Sequence, residues 1–251
     1  MPETTPEFET LLVTLRRQRG IDFTGYKRAS LLRRFTRRMQ TVGVCEPAEY
    51  AGYIDAHPGE INVLLDTILI NVTSFFRDAP TWEQIQGEVI PHLLAAKDRG
   101  EPIRMWSAAC AGGQEAYTLA MILAEALGLD EVRRRAIIFA RHDLLQDAPI
   151  SRLDMLTCRN TLMYFNTEAQ AQAVARLHFA LHEGGVLVLG KAEMLTTSPG
   201  LFAPISLKRR IFVKVPKAGR RERLAVLTQA GTPSAPRAIN RHNTYDAGHC
   251  L

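Results

Sequence analysis

Cysteine is scarce in this sequence: four residues, at 45, 110, 158 and 250, with no CxxC pair and no histidine cluster beside them. That spacing excludes a zinc ribbon or a disulfide framework, and the thiols read as reduced. No apolar run approaches the ~18 residues that a membrane span requires. The first ten residues are polar and acidic, unlike a basic-then-apolar leader. A soluble, cytoplasmic chain is the expectation. Disorder throughout is excluded too, because 251 residues with 46% hydrophobic and 23% charged side chains can build a real core. The length suits one large domain, or a small one attached to a medium one.

The net charge of +5 hides an uneven distribution. Residues 15–40 hold nine basic side chains against one acid, and residues 208–251 hold ten against two. The stretch between, 41–207, has twelve basic and twenty acidic residues. An acidic body thus carries two basic appendages, which suit an acidic partner surface, either nucleic acid or protein.

Glu7 to about Glu88 reads as helical, with apolar residues recurring at three and four and punctuation at Gly20 and Gly43. In this small all-helical domain, Leu31, Leu32, Phe35 and Met39 form one stripe. Arg33, Arg34, Arg37 and Arg38 are read as the opposite, cationic side. Such a face is either merely solvated or a docking surface, and mutual repulsion without acids at i±4 favours docking. From Pro102 the texture changes. Strands are expected at Ile103 to Cys110, Ala136 to Ala140, Leu153 to Cys158, Val186 to Leu189 and Ile211 to Val215. Helices are expected at Gln114 to Leu127 and Thr167 to Leu181. This alternation implies an open, mainly parallel α/β sheet covered on both faces. The expected organisation is 1–90 for the helical domain with its linker helix, 91–216 for the sheet domain, and 217–251 for a disordered basic tail or linker.

Ligands of such sheets gather at the carboxyl ends of the strands. The first strand ends there in Ala109, Cys110, Ala111, Gly112 and Gly113, small residues that let a ligand approach the backbone at a helix start. The turn lacks GxGxxG spacing and a phosphate-gripping lysine. Glu115, just inside the helix, opposes phosphate and suits hydroxyl or ammonium donors, so a nucleoside without phosphates fits. Polar Arg159 and Asn160 follow an apolar strand, with Tyr164 and Phe165 beyond. The segment Asn71 to Arg77, at the domain junction, could close over the site as an arm or be an ordinary connector.

Four phrases in order carry a resemblance: Asn71-Val72-Thr73-Ser74-Phe75-Phe76-Arg77; Trp106-Ser107-Ala108-Ala109-Cys110-Ala111-Gly112-Gly113-Gln114-Glu115-Ala116-Tyr117; Cys158-Arg159-Asn160 with Tyr164-Phe165; and Gly184-Gly185 with Gly190 to Glu193. Over roughly residues 10 to 215 the chain resembles the CheR family, S-adenosylmethionine-dependent methyltransferases that esterify glutamate side chains of bacterial chemoreceptors. Phe139 to Leu144 resembles members found in larger multidomain sensory proteins. The resemblance implies a Rossmann-like methyltransferase sheet preceded by a small all-α domain, with S-adenosyl-L-methionine as cofactor. Asn71, Thr73 and Arg77 would reach its methionine end, Gly113 and Glu115 line its loop, and Asp143 and Leu144 lie by the adenine, where many relatives have Asn at the position of Asp143. Arg159 and Asn160 would complete the pocket, and Tyr164 would face the methyl group, with Tyr164 and Arg159 orienting charge for catalysis. Arg33, Arg34, Arg37 and Arg38 would correspond to the receptor-docking helix, for acidic methylation helices of chemoreceptors. Neither metal nor membrane insertion is implied, and a monomer is expected.

One strand unit of the family pattern is missing after about residue 130, where Leu129 to Val132 and three arginines lead straight into Ala136. The missing part includes the acid that holds the ribose. The expectation is that 136–140 then pairs directly with 103–110, since orphaned amides inside a sheet are costly. Asp143 would either substitute for the ribose acid or stay by the adenine or solvent. Two functions remain: protein-glutamate O-methyltransferase, with activity weakened by the gap or intact, and a catalytically inert docking or sensory module. Specific nucleic-acid binding is poorly supported, because aromatics are not interleaved with the arginines.

Overall fold

The computed structural model describes residues 5–20, 22–69, 72–98, 101–128, 138, 140, 142–195 and 200–215. Four helices come first: α1 (Pro6–Arg19), α2 (Arg28–Thr41), α3 (Pro47–Ala56) and α4 (Glu60–Ile68). The start of α1 follows from its sequence, because Thr5 caps the Phe8 amide, Pro6 occupies the first turn, and Glu7 and Glu9 face the positive end of the helix. Gly20, at φ 67°, ends it. Phe8, Leu11, Leu15, Phe23, Leu31, Phe35, Tyr50, Ile54 and Leu64 close a core confined to this helical unit.

The next helix is broken in character. α5 (Ala79–Gln84) passes through a π-helical turn, Ile85–Val89, into α6 (Ile90–Ala95). Pro91 supplies a reason: it has no N–H to return to the preceding turn, and a wider turn absorbs the mismatch. Trp82, Ile85, Val89, Ile90 and Leu93 pack with Met155, Val186 and Val188 of the sheet, so this linker helix shares the core of the sheet and not that of the helical domain.

The sheet holds β1 (Met105–Ala108), β2 (Leu153–Cys158), β3 (Leu181–Leu189), β4 (Phe202–Ser206) and β5 (Ile211–Lys214), in the order β1-β2-β3-β5-β4. The β1-β2 and β2-β3 pairs are parallel, and β3-β5 and β4-β5 are antiparallel. α7 (Gln114–Leu127) follows β1, and α8 (Thr167–Ala180), capped by Asn166 on the Ala169 amide, precedes β3. Side chains alternate with period two. Met155, Val186, Val188 and Ile211 face α6 and α7, while Leu156, Cys158, Leu187, Leu189 and Phe212 face α8. The expected α/β sheet with both faces covered is therefore present.

Two expectations need comment. β4 was not anticipated: with Pro204 inside and an exposed or half-buried pattern throughout, it has the marks of an edge strand and little hydrophobic signal. Of the strand expected at 136–140, residues 136, 137 and 139 lie outside the described residues, as do Asn71 and 216–251. Ile138 and Ala140 belong to no strand, and Ile138 is exposed. Among the described residues β1 pairs with β2 alone.

Candidate active site at the carboxyl edge of the sheet

The site is built on the one-residue register of β1 against β2. Ser107 lies opposite Thr157, and both point toward α7. Glu115, in the first turn of α7, accepts hydrogen bonds at Oε1 from the Ser107 hydroxyl (3.0 Å) and the Thr157 hydroxyl. Two residues beyond Thr157, hence on the same face, Arg159 donates from Nη1 to Glu115 Oε2 at 3.2 Å. Its Nη2 donates to Asp78 Oδ2 (2.7 Å) and to the Arg77 carbonyl (2.8 Å), and its guanidinium lies over the Trp82 ring at 5.2 Å. Lys191 reaches the other Asp78 oxygen at 3.0 Å. Burial works against ionisation of Asp78, but the Lys191 hydrogen bond and the Arg159 charge outweigh it and hold its carboxyl below the ordinary range.

Over this floor passes the turn between β1 and α7. Ala109 and Ala111 adopt φ of 55° and 51°, and Gly113, at 90°, begins the helix. Among the described residues seven non-glycine positions have positive φ, and five of them, Phe76, Asp78, Ala109, Ala111 and Asn160, surround this turn. Left-handed backbone at residues with a Cβ costs free energy and concentrates at functional sites. Gln114 Oε1 is buried beside the turn without a donor. Val72, Phe75, Tyr117 and Met194 expose apolar side chains on the arm, on α7 and on the loop after β3.

The residues expected to act together are only partly gathered. Gly113, Glu115, Arg159 and Asn160 converge with the root of the arm. Arg77 turns its guanidinium back onto the Val72 carbonyl (2.9 Å), and Thr73 is half-buried on the arm. The Arg159 side chain is 2% exposed, with Nη1 and Nη2 engaged as above and a buried Nε that has no partner among the described residues, so it braces the floor. Tyr164 stands at the border with the helical domain. The Arg34 guanidinium lies 4.9 Å from its ring centroid, and its carbonyl accepts from the Lys27 amide. Leu144 is buried on the α8 face, around a narrow hollow with Trp106, His142 and Leu177. Asp143 caps the turn after it, accepting from the Leu145 amide at 2.8 Å and the Gln146 amide at 3.2 Å.

The reading of all four α2 arginines as one face opposite the apolar stripe is corrected. Arg34 and Arg38 follow the buried Leu31 by three and seven residues, which places them near its stripe and not opposite it. Arg34 donates to the Ile68 carbonyl, and Arg38 grips Glu60 at 2.7 and 2.6 Å. Arg33 and Arg37 alone of the four are exposed, on an open face of α2 shared with Ala29, Leu32, Thr36 and Gln40.

Sequence reading missed Asp78, Ser107, Gln114, Thr157, Lys191 and Glu193 as site residues. A hydroxyl two positions before Arg159, on a strand whose one other polar side chain is Asp154, was the available signal for Thr157. Neither cysteine near the site is a poised nucleophile: burial first, then the charge of Glu115, raises Cys110. Burial with Glu193 and Glu115 raises Cys158 well above the ordinary thiol value.

The residues present fit S-adenosylmethionine in this respect: an orphaned acceptor beside an open backbone turn suits ammonium and hydroxyl donors. Sequence comparison agrees. The profile described as "CheR methyltransferase, SAM binding domain" matches residues 71–134 and 128–211, two segments that meet where the sequence places the gap. "CheR methyltransferase, all-alpha domain" matches 6–69. A chemotaxis protein methyltransferase of Listeria innocua is 26% identical over 263 positions, covering 85% of this chain and 99% of that protein. Since 263 positions exceed this chain's whole length, the relative carries residues with no counterpart here. Chemotaxis protein methyltransferase 1 of Pseudomonas aeruginosa is 26% identical over 258 positions, 79% of this chain and 94% of that protein. An uncharacterised 104.1 kDa protein of Rhodobacter capsulatus is 33% identical over 245 positions, 76% of this chain and 26% of that protein, so the chain spans about a quarter of that relative. This chain belongs to the CheR methyltransferase family, with the family's all-α domain ahead of its S-adenosylmethionine-binding domain.

Proposed function

We propose that the chain transfers the methyl group of S-adenosylmethionine to glutamate side chains on acidic helices of bacterial chemoreceptors. The observation that carries this reading is the strained Ala109–Gly113 turn above the Glu115 carboxylate, with an unpartnered Gln114 oxygen beside it. When bound, the cofactor supplies an already activated methyl group, so the protein has to align and to exclude water more than to move protons. An acceptor glutamate is ionised near neutral pH without assistance. In this reading Gly113, Gln114 and Asn160 bind the cofactor with Asn71 and Thr73 of the arm. Glu115 and Arg159 hold the floor, and Tyr164 orients the acceptor. Exposed Arg33 and Arg37 receive the acidic helix.

The second reading, an inert docking module, is favoured by one observation. The Asp143 carboxylate, which could have replaced the missing ribose acid, is engaged by the amides of its own turn. Titration of S-adenosylhomocysteine followed by radiolabelled methyl transfer to a receptor methylation-helix peptide separates the two. Cofactor binding with labelled peptide supports the enzyme, while peptide binding without cofactor binding leaves docking alone. The chain is proposed to work in the cytoplasm as a monomer.

A further inference from the structure

Glu193 belongs to the loop after β3 and is 3% exposed. Its carboxylate is the meeting point of four backbone amides. Oε1 accepts from Thr161 and Leu162, both at 2.7 Å, and Oε2 from Asn160 (3.0 Å) and Gly190 (2.7 Å). Three of these donors are consecutive and lie directly after the catalytic edge of β2. The fourth closes the next parallel strand. Converging amides of this kind form an anion-binding nest, and here the chain fills it with its own anion. The packing tolerates nothing larger: a Cβ at Gly190 would lie 2.8 Å from the Asn160 nitrogen and 3.0 Å from Glu193 Oε2.

The consequence runs to Tyr164. Asn160 is held at φ 61° at the start of the clamped stretch. Leu162–Tyr164 then forms a single 3-10 turn, with the Tyr164 amide on the Thr161 carbonyl at 3.1 Å. Beyond the turn, the helical domain takes hold through the Lys27 amide, the bridge of Tyr26 with Phe165, and Arg34. Glu193 fixes one end of this loop and the docking domain fixes the other, with Tyr164 between them. The neighbouring Lys191 pairs with Asp78, so one short loop secures both the Tyr164 turn and the root of the arm.

We propose that Glu193 is a positioning residue for methyl transfer, plugging the nest after β2 and β3 and thereby setting Tyr164 against the acceptor carboxylate. This rests on the methyltransferase reading above. Only an acceptor suits four donors. Glutamine would turn its NH₂ against an amide N–H, and aspartate would fall short of part of the nest.

The test compares wild type, E193Q and E193D in the full chain, each alone and with Tyr164→Phe. E193Q is expected to lower kcat by about tenfold to a hundredfold, with the KM for a receptor peptide unchanged within about twofold, because Arg33 and Arg37 are untouched. E193D should fall between. In the Tyr164→Phe background the same E193Q change should cost less than about twofold, since the group it positions is gone. Amide exchange read at 160–162 and 190 should rise in E193Q while the α1–α4 core stays protected. Should E193Q not fold, E193D carries the same comparison. An equal loss in both backgrounds, an unchanged kcat or unchanged exchange at those four amides overturns the proposal. Amide exchange does not depend on turnover. A wild type that neither binds S-adenosylhomocysteine nor labels peptide therefore overturns the methyltransferase reading, while the exchange result still decides whether the clamp exists.

Discussion

Arg38 in the helical domain and Arg159 at the sheet edge solve the same local problem in different settings. Each is gripped by a carboxylate from another element: Arg38 by Glu60, which also receives the Tyr50 hydroxyl, and Arg159 by Glu115 and Asp78. Burial, then the Glu60 hydrogen bond, raises the Tyr50 hydroxyl, and the Arg38 hydrogen bond lowers Glu60 despite burial. Yet no non-glycine residue with positive φ lies in 22–69, whereas five surround the Arg159 network. A buried ion pair by itself therefore marks a packed joint. Strained backbone, an orphaned acceptor and exposed apolar side chains around a second such pair mark a place for a ligand.

The comparison is broken most forcefully at Glu115. Glu115→Ala leaves the buried Thr157 hydroxyl, the half-buried Ser107 hydroxyl and part of a buried guanidinium without this acceptor. It is expected to cost about 3 to 5 kcal/mol by thermal unfolding and to abolish S-adenosylhomocysteine binding by calorimetry. Loss of stability with retained affinity would make Glu115 a joint like Glu60.

Arg38→Ala should cost about 3 kcal/mol or somewhat less, while cofactor affinity stays within about twofold of wild type. Its pH dependence has a definite sign. The carboxyl of Glu60 is lowered in the folded protein, so the pair stabilises fully above the ordinary carboxylate range and loses that contribution as pH falls through the lowered value. Wild-type and Arg38→Ala stability curves should therefore converge in acid and separate above about pH 5. Parallel curves would remove Glu60 from the account.

On α2 the two arginine classes should part company. Arg33→Glu with Arg37→Glu should leave the melting temperature nearly unchanged and weaken binding of an acidic helical peptide by about tenfold at low salt. Arg34→Ala should instead loosen the Ile68 and Tyr164 contacts and lower stability by about 1 to 2 kcal/mol. The smallest effect is expected at Asp143→Asn, which keeps an oxygen for the Leu145 and Gln146 amides. Cofactor affinity equal to wild type in a titration removes Asp143 from the ribose-binding role.

The helices and strands were legible where one residue type dictates one local outcome. Gly113 and Gly128 bracket α7, Asn166 starts α8, and alternation along β2, β3 and β5 sorts side chains between two helical layers. Short edge strand β4 was not legible, because an exposed strand with a proline carries no burial pattern. Nor was the inward turn of Arg34 and Arg38: charge suggested solvent, while helical spacing from Leu31 placed them near the packed side.

Local sequence by itself determined the α/β class, the glycine turn and the small residues at the carboxyl edge, because backbone preference and hydrophobic period act over a few positions. Only the tertiary structure decided which charges are spent. Glu115, Arg159 and Asp78 come from 37 or more residues apart, and Glu193 reaches amides 31 to 33 residues away. Whether a buried carboxylate meets a ligand or the chain's own donors depends on parallel strand register and on loops closing over it, and these are set by the packing of distant elements.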